Sequence, residues 1–495
     1  MAVRMTVRRA ILSVSDKRGL VEFARGLAGL GVSLLASGGT AKALKDAGLS
    51  VQEISDYTNS PEMLDGRVKT LHPKIHGGLL GLRDNPDHMS AMAAHGIEPI
   101  DLVAVNLYPF EQTIARPGVS LEDAIENIDI GGPSLLRSAS KNHRSVVVLV
   151  DPGDYPRVLD EMRRGDGEVG EATRSALAAK AFAHTSRYDG LIAGYLGRLG
   201  AGAEDSQSPF PDSFTAGLPK AADLRYGENP HQRAALYGDF LRFVEPLHGK
   251  ELSFNNVVDA NAAVELIAEF SSPTVAILKH TNPCGVGSGS SLVDAWRKAF
   301  ETDTQSPFGG IIVVNRPLDL AAAKAMDEVF TELIIAPEFE DGVLELLFKK
   351  KNRRILRMGA GIEESAGGVA AMDWKRVAGG VLVQDRDRAR EERDGWKVVS
   401  KRAPAEEEAE AMLFAWRVAK HVKSNAIVYS KSDRTLGIGA GQMSRIDSAE
   451  IAVSKAAKAG LSLRGCAVAS DAFFPFRDSV DTMAKVGAAS VIQPG

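Results

Sequence analysis

The segment LKHTNPCG, residues 278–285, brings together three types of side chain that do chemistry. A cysteine near a histidine, as with Cys284 and His280, is typical of a thiol nucleophile or of half a metal site. A lysine beside a histidine, as with Lys279 and His280, suits proton transfer next to a developing negative charge. The segment by itself leaves these alternatives open.

A second polar segment, DGRVKTLHPKIHGG at 65–78, is rich in basic side chains and has little apolar periodicity. It is therefore predicted to form a loop, where functional residues concentrate. Arginine can grip an anion through two hydrogen bonds, and lysine can donate a proton or stabilise an oxyanion. His72 and His76 have the spacing of a helical metal site, but Pro73 and the glycines at 77–78 argue against a helix. The segment favours anion binding over metal binding.

The segment ASGGT, residues 36–40, lies between a predicted strand and a predicted helix. An open α/β sheet binds ligands at this edge, and a helix N-terminus offers free amides and a positive dipole. A phosphate would fit such a turn. A tight turn with a Ser or Thr cap explains the same residues equally well.

Other features have an ordinary structural explanation when they are taken singly. Lys141 lies near the end of a predicted helix, where a solvent-facing charge is expected. The glycines of LGIGAGQMSR, 436–445, match neither the P-loop nor the dinucleotide fingerprint. The phenylalanines of SDAFFPFRDSVD, 470–481, are expected in the core, although a flat heterocycle would also suit them.

The elements that must position these residues alternate between strand and helix. In the N-terminal third, apolar runs such as AILSVS and VSLLAS are separated by helical patterns, which predicts a parallel α/β sheet. Residues 201–217 are rich in Gly, Ser, Pro and Asp and are predicted to be a linker. The linker separates a domain at 1–200 from a region at 218–495, which is long enough for two lobes.

The composition limits the classes of protein to which the chain can belong. The chain has 495 residues, a net charge of -5 and two cysteines. This balance predicts no nucleic-acid partner, and the basic run KKKNRR at 349–354 is interpreted as a solvated helix end and turn. Two distant cysteines predict no disulfide framework and no cysteine-rich zinc site. No stretch reaches membrane-spanning length, so we expect a cytoplasmic protein without a membrane partner.

Five strings in the first half, SVSDK, ASGGT, GRVKTLHP, NLYPF and IDIGG, resemble in order and spacing the AICAR transformylase/IMP cyclohydrolase family. The resemblance implies a methylglyoxal-synthase-like parallel sheet domain that closes the purine ring. It makes Lys141 the proton donor or acceptor and gives catalytic roles to Lys69, Tyr108 and Asp129. The implied nucleotide-binding residues are Ser13, Val14, Ser15, Lys17, Ser37, Gly38, Gly39, Thr40, Arg67, Val68, Thr70, Asn106, Leu107 and Ile130.

The second half resembles the transformylase part of the same family, through strings such as LRYGENPHQ, LKHTNPCG and QSPFGG. The resemblance implies two cytidine-deaminase-like α/β lobes and makes Lys279 and His280 the catalytic pair. The implied AICAR-binding residues are Arg225, Tyr226, Gly309, Glu332, Asn425 and Arg445, with Glu332 where some members have Asp. The implied folate-binding residues are Ile446, Phe473, Asp478 and Gly495.

The resemblance predicts a bifunctional enzyme. One half transfers formyl from 10-formyltetrahydrofolate to AICAR, and the other cyclises formyl-AICAR to IMP with loss of water. It implies a homodimer and requires no redox cofactor or catalytic metal. The family normally continues past VIQPG, so the end of this sequence lies at the edge of a folate-contact turn.

Two other functions of the first half are alternatives to this prediction. A methylglyoxal synthase and a regulatory nucleotide-binding module would use the same phosphate-binding fold. The string Arg67–Val68–Lys69–Thr70 favours the cyclohydrolase over the synthase. The lysines Lys69 and Lys141 favour it over a binding module, which needs no positioned proton donor. Cys284 is then expected to be a bystander in a turn after Pro283.

Overall fold

The computed structural model describes residues 5–61, 63–201, 210–359, 372–389 and 393–494. The chain divides into two compact units, one from residues 1–217 and one from residues 218–366 and 373–495. No helix in the described ranges has the length and apolar composition needed to span a bilayer.

The N-terminal unit is built on five parallel strands in the order β3-β2-β1-β4-β5. The central strands are apolar and buried on both faces, as expected for a parallel sheet covered by helices. The predicted parallel α/β sheet is therefore confirmed. The strands are β1 (Arg9–Val14), β2 (Ser33–Ala36), β3 (Gln52–Glu53), β4 (Leu102–Asn106) and β5 (Val147–Leu149).

Ten helices of the described residues accompany this sheet. The longest, α10, packs against α8 and β5 with Leu177, Ala181 and Tyr188 in the core. The helices are α1 (Leu20–Gly29), α2 (Gly38–Asp46), α3 (Ile54–Thr58), α4 (Pro73–Leu80), α5 (Pro86–Ala94), α6 (Phe110–Ile114), α7 (Leu121–Glu126), α8 (Gly131–Lys141), α9 (Tyr155–Arg164) and α10 (Glu171–Ala201).

The prediction of a loop at 65–78 is wrong for its second half, because α4 begins at Pro73. Proline is favoured at the first helical position, since its missing N–H would have no partner there. The ring of His72 caps the helix by accepting a hydrogen bond from the Lys74 N–H at 3.1 Å. A Cβ at Gly78 would lie 2.7 Å from the Glu98 carbonyl oxygen, so this glycine lets the helix pack closely.

The predicted linker, 201–217, is described only in part, because residues 202–209 lie outside the described residues. The part at 210–217 runs beside α10. A Cβ at Gly190 would lie 2.7 Å from the Thr215 side chain, and one at Gly217 would lie 3.0 Å from the Arg187 Cα. This stretch therefore packs within the N-terminal unit.

The C-terminal unit contains two mixed sheets with a common plan. The six-stranded sheet has the order β10-β9-β11-β12-β13-β8, and the four-stranded sheet has the order β17-β16-β18-β19. In each sheet an antiparallel hairpin is followed by an antiparallel and then a parallel neighbour. The fold of this unit is therefore a duplicated mixed α/β lobe.

The strands of the first lobe are β8 (Val244–His248), β9 (Thr274–Lys279), β10 (Asn282–Ser288), β11 (Gly310–Val314), β12 (Thr331–Ala336) and β13 (Arg354–Met358). Those of the second are β16 (Ile427–Ser430), β17 (Thr435–Gly439), β18 (Ala467–Ser470) and β19 (Ser490–Ile492). Two small hairpins pair β6 (Lys220–Leu224) with β7 (Ala234–Tyr237) and β14 (Met372–Val377) with β15 (Gly380–Asp385).

Each lobe has one helix before its hairpin and one after it, namely α12 and α13 in the first lobe and α16 and α17 in the second. The helices of this unit are α11 (Phe240–Phe243), α12 (Phe254–Ile267), α13 (Leu292–Thr302), α14 (Leu320–Asp327), α15 (Val343–Leu347), α16 (Glu406–Ala419), α17 (Arg445–Lys458) and α18 (Asp478–Lys485).

The glycine-rich run at 436–441 has a packing function in the second lobe. Gly437 and Gly439 lie in β17 and face the backbone of α17, where a Cβ would collide with the Ala452 and Ser448 carbonyl groups. Equivalent glycines in β10 face α13 in the first lobe. The run is therefore part of a strand that needs a close helix.

The interpretation of the basic run at 349–354 as a solvated helix end and turn is confirmed for Lys349, Lys351 and Asn352, which are exposed in the turn after α15, but it is wrong for the last two residues. Arg353 and Arg354 are buried, with 3% and 6% of their surfaces exposed. Arg353 and Lys350 both pair with Asp327. Arginine can be buried here because a carboxylate and backbone carbonyls accept its hydrogen bonds.

Candidate functional sites

The first site lies at the carboxyl edge of the parallel sheet, where the order of strands reverses between β1 and β4. The Asn106 Oδ1 atom, at the end of β4, accepts a hydrogen bond from the Asp16 N–H at 2.8 Å. Ser15 Oγ donates to the Leu107 carbonyl oxygen at 2.8 Å. These bonds hold the segment after β1 against the segment after β4.

An anion-binding arrangement is present at the N-terminus of α2. Ser37 precedes the helix in an extended conformation, and Gly38 and Gly39 form its first turn, where N–H groups lack intrahelical acceptors. A Cβ at Gly38 would lie 3.3 Å from Lys69 Nζ, and one at Gly39 would lie 3.8 Å from Lys17 Nζ. Two ammonium groups therefore lie beside free backbone donors, which is suitable chemistry for a phosphate.

Thr40 has a structural role in this arrangement. Its Oγ1 atom accepts from the Val14 N–H at 3.0 Å and donates to the Val14 carbonyl oxygen at 3.1 Å. The side chain is buried at 4% exposure. Because its hydroxyl is already used twice, Thr40 fixes α2 against β1, and its backbone is the part left to meet a ligand.

Asp129, Tyr108 and Lys69 are brought together beside this anion site. Asp129 Oδ1 accepts from the Gly132 N–H at 2.8 Å. Burial raises the pKa of Asp129, and the N–H groups of Gly132 and Tyr108 and the charge of Lys69 oppose the rise. Burial, followed by the carboxylates of Asp129 and Glu126, raises the pKa of Tyr108. Asp129 is therefore close enough to interact electrostatically with both Tyr108 and Lys69.

The remaining predicted residues of this site have different surroundings. Arg67 is exposed and pairs with Glu126. Thr70 packs at the start of α8, because a Cβ at Gly131 would collide with its Oγ1 atom. Val68 lines a pocket with Ser37, Gly38 and Lys69. Ile130 is 59% exposed.

Lys141 is the predicted residue that the structure places apart from Asp129. It is the last of the 11 residues of α8, whereas Asp129 lies just before the first. At 1.5 Å per residue, the two ends of the helix are about 15 Å apart. The Lys141 side chain is exposed at the far end.

Tyr188 contacts the Asp129 turn, although no pattern in the sequence singles it out. Its hydroxyl accepts from the Asp129 N–H at 2.8 Å and donates to the Asn127 carbonyl oxygen at 3.1 Å. Burial raises the pKa of Tyr188 to about 12, so the hydroxyl stays protonated. A tyrosine within a helical apolar pattern is normally a core residue, and only the fold shows that it holds Asp129.

The second site is built around the hairpin between β9 and β10. Lys279 ends β9, and His280 and Thr281 form the turn with φ angles of 52° and 63°. Lys279 Nζ donates to the Phe308 carbonyl oxygen at 2.8 Å. The His280 side chain is exposed. The predicted pair therefore lies at a strand end, in a hairpin turn between antiparallel strands.

Cys284 is in a strand, so the prediction that it lies in a turn is wrong. It sits in β10 at a bulge between Pro283 and Gly285 and is 8% exposed. Burial raises the pKa of its thiol to about 12. A protonated, buried thiol is a poor nucleophile and a poor metal ligand. This supports the expectation that Cys284 takes no part in the chemistry.

Three polar residues on the first turns of α12 contact three segments of this site. Asn255 Nδ2 donates to the Glu228 carbonyl oxygen at 3.3 Å, in the loop after Arg225 and Tyr226. Asn256 Nδ2 donates to Glu332 Oε2 at 3.4 Å. Asp259 Oδ1 accepts from the Thr281 N–H at 2.7 Å.

The predicted AICAR-binding residues of the first lobe lie near Arg354. Glu332 Oε2 is 3.8 Å from Arg354 Nη1. Burial lowers the pKa of Arg354, Glu332 opposes this, and Arg225 reinforces it. Arg225 stacks on Tyr226, with its guanidinium carbon 4.8 Å from the ring centroid. Arg354 was missed because the basic run around it was interpreted as solvated.

The second lobe is joined to the hairpin turn through Asn282. Its Nδ2 atom donates to the His280 carbonyl oxygen at 3.1 Å, and its Oδ1 atom accepts from the Lys423 N–H at 2.9 Å. Two residues further on, Asn425 Nδ2 donates to the Gln442 carbonyl oxygen at 2.9 Å. Asn425 is thus connected to the turn at His280 and Thr281 through a short chain of contacts.

Arg445 is held within the second lobe. Its guanidinium donates to Ser470 Oγ at 2.8 Å and to Asp471 Oδ1 at 3.0 Å. Ile446 follows it and is half-buried. Part of the guanidinium is therefore already engaged, and the rest is available to a ligand.

Two other predicted folate residues, Phe473 and Asp478, are at the surface. Phe473 is 59% exposed, and Asp478 is exposed and accepts a hydrogen bond from the Ser479 N–H at 2.6 Å. Gly495 lies outside the described residues. Gly309 has a φ of 72° and donates its N–H to the Phe330 carbonyl oxygen at 2.8 Å. The exposed rings of Phe308, Phe330 and Phe473 leave apolar surface open to a ligand.

Within the ranges that the structure describes, no group of three His, Cys, Asp or Glu side chains is placed to hold a metal ion. His76, one of the two histidines with helical spacing, contacts Ser138 Oγ through Nδ1 at 2.9 Å. Burial lowers the pKa of His76.

Two family models match the chain. The model described as AICARFT/IMPCHase bienzyme matches residues 139–455, and the MGS-like domain model matches residues 19–134. Three proteins called bifunctional purine biosynthesis protein PurH are among the most similar relatives. Those of Chlorobium phaeobacteroides (strain BS1) and Magnetococcus marinus are each 54% identical over 99% of this chain and 94% of their own length. That of Chloroflexus aurantiacus is 56% identical over 99% of this chain and 93% of its own length.

Proposed function

The chain belongs to the AICARFT/IMPCHase bienzyme family, and we propose a division of its two reactions between the two sites described above. It is a bifunctional enzyme of purine biosynthesis that formylates AICAR with 10-formyltetrahydrofolate and cyclises formyl-AICAR to IMP. The N-terminal site is assigned the cyclisation. The hairpin site of the C-terminal unit is assigned the formyl transfer.

The nucleotide phosphate is assigned to the N-terminus of α2. Backbone donors of Gly38 and Gly39, with the ammonium groups of Lys17 and Lys69, would hold it. The base would then face the segments ending β1 and β4 and the turn at Asp129. All the nucleotide-binding residues that the resemblance implies, of which Ser13 is the first and Ile130 the last, are proposed to bind the nucleotide in this position.

Cyclisation requires a carboxamide nitrogen to attack the formamide carbon, after which water leaves. We assign Asp129 to accept the proton of the carboxamide nitrogen, since its raised pKa brings it closer to a useful base. Lys69 and Tyr108 would stabilise the oxyanion and protonate the departing oxygen. The role of Lys141 as proton donor or acceptor rests on the family resemblance alone.

Formyl transfer is assigned to Lys279 and His280. His280 would take a proton from the 5-amino group of AICAR, and Lys279 would stabilise the charge that develops on the formyl oxygen. Arg225, Tyr226, Gly309, Glu332, Asn425 and Arg445 are proposed to bind AICAR. Ile446, Phe473, Asp478 and Gly495 are proposed to bind the folate.

A homodimer in the cytoplasm is part of the proposal. His280, Arg225 and Phe473 are exposed in the single chain, and a second subunit over them would exclude water from the transfer. Sedimentation of the purified protein would test this. The reducing cytoplasm suits the two cysteines, which are both free and buried.

The observation that supports the proposal is that Asp129 interacts with Lys69 and Tyr108 in one unit, while Lys279 and His280 lie at one hairpin in the other. The test supplies AICAR and 10-formyltetrahydrofolate and follows tetrahydrofolate and IMP separately. Both products are expected, with formyl-AICAR alone also yielding IMP. A chain that released tetrahydrofolate but never cyclised formyl-AICAR would contradict the assignment of the first site.

A further inference from the structure

The turn that presents His280 has a backbone that needs outside support. His280 and Thr281 both have positive φ angles, 52° and 63°. A left-handed conformation is uncommon for any residue with a side chain and is a clear outlier for a β-branched one. Such residues persist only where the surrounding structure fixes them.

Two side chains fix the turn from opposite sides. Asp259 Oδ1 accepts the Thr281 N–H at 2.7 Å. Asn282 Nδ2 donates to the His280 carbonyl oxygen at 3.1 Å. Asn282 is next to the turn in sequence, whereas Asp259 comes from α12, so Asp259 fixes the turn relative to the rest of the lobe.

Helix α12 is fixed by its N-terminal cap and by core packing, so it can hold Asp259 in place. It begins with a capping box, in which Ser253 and Asn256 satisfy each other's backbone N–H groups. Ala260, Ala263 and Val264 are buried in the core that includes residues of β9 and β11. Asp259 is half-buried beside them. Burial raises its pKa, and the Thr281 N–H and the charge of His280 oppose the rise, so His280 is near enough to interact with it.

We propose that Asp259 is a positioning residue for formyl transfer, which holds the His280–Thr281 turn and offsets the positive charge that His280 gains during the reaction. The inference rests on the proposed role of His280. In the step concerned, the AICAR amino nitrogen bonds to the formyl carbon as the bond from that carbon to folate N10 breaks. The amine proton goes to His280, N10 takes the bonding pair, and His280 then releases the same proton to N10.

The test compares Asp259→Ala with Asp259→Asn. The alanine variant lacks the hydrogen-bond acceptor, so kcat for formyl transfer is expected to fall about 100-fold, the size of effect that a small misplacement of a reacting group produces. KM for AICAR should change little, because Arg225 and Glu332 remain. The asparagine variant keeps an acceptor without the charge and should lose less.

A second substitution distinguishes the loss of the turn conformation from a general loss of stability of the C-terminal unit. Glycine adopts a positive φ without strain, so Thr281→Gly in the Asp259→Ala background is expected to recover part of the lost kcat. Glu265→Ala is the matched control, because Glu265 is on the same helix and pairs with Arg386. It should leave formyl transfer unchanged. Cyclisation of formyl-AICAR reports in each variant that the N-terminal unit is intact.

The outcomes are distinguishable. If His280→Ala kept wild-type formyl transfer, the proposed role of His280 would be wrong, whatever the Asp259 variants did. If His280→Ala were inactive while Asp259→Ala kept a wild-type kcat, the inference about Asp259 would be overturned. If Asp259→Ala unfolded the C-terminal unit, a wild-type kcat in the folded Asp259→Asn variant together with no effect of Thr281→Gly would overturn it instead.

Discussion

The two candidate sites present their reactive groups on different kinds of backbone. In the N-terminal unit the groups lie on several segments around the carboxyl edge of the parallel sheet, near the N-terminus of α2, a place that the topology of the sheet determines. In the C-terminal unit Lys279 ends β9, and His280 lies on a two-residue hairpin turn in a left-handed conformation. The first site depends on the fold, and the second depends on individual side chains that hold one turn.

The duplicated lobes of the C-terminal unit sharpen this contrast. Their hairpins have the same position in the two sheets, but the second lobe closes with residues between Ser430 and Thr435, where Lys431 N–H donates to the Arg434 carbonyl oxygen at 2.9 Å. In the described residues of that turn no positive φ occurs. The two hairpins therefore share a position in the fold but differ in backbone conformation, and the proposed catalytic histidine lies on the left-handed turn.

The largest effect on the first site is expected from Lys69→Met. Lys69 is close to both the α2 N-terminus and Asp129, so its loss should lower kcat/KM for cyclisation about 100- to 1000-fold. Lys74→Met is the matched control, since Lys74 Nζ lies on the Tyr57 carbonyl oxygen at 3.4 Å. If the Lys69 variant cyclised formyl-AICAR as well as the control, the proposed role of Lys69 in cyclisation would be wrong.

Asp129→Asn is expected to lower cyclisation about 100-fold, because the amide cannot accept a proton. The same change should raise the Tm of the N-terminal unit at pH 7. Since burial raises the pKa of Asp129 above its ordinary value of 3.8, the favourable contribution of the neutral carboxyl is complete below that value and is lost as pH rises through the folded pKa.

Thermal unfolding at pH 7 and near pH 4 checks this sign. The Tm difference between the Asn variant and the wild type should shrink at the lower pH, where the wild-type carboxyl is neutral more often. A difference that grew on acidification would show that the carboxylate is stabilised in the fold.

A smaller effect is expected from Tyr188→Phe. The variant leaves the Asp129 N–H and the Asn127 carbonyl oxygen without their partner, which costs about 1–3 kcal/mol. Cyclisation should fall about tenfold through kcat, because the Asp129 turn loses its fixed position. Tyr195→Phe on the same helix is the control, since its ring packs edge-on to Phe110 at 5.7 Å. Equal activity in the two variants would make Tyr188 a core residue only.

The sequence predicts the strand ends of the first site well, because apolar runs and the polar strings after them lie in fixed relation. It fails at 73–80, where proline and glycine argue against a helix that capping by His72 and close packing make possible. It also fails for Tyr188, Asp259 and Arg354, which reach their sites from distant elements. Local patterns hold no information about such contacts.

The most direct measurement is the pair of activities of His280→Ala. Formyl transfer from 10-formyltetrahydrofolate to AICAR is expected to fall by about 1000-fold, since the group that accepts the amine proton is gone. Added formyl-AICAR should still be cyclised at the wild-type rate, because the N-terminal site has its own proton-transfer groups. Loss of both activities in a folded variant, or loss of neither, would contradict the division between the two sites.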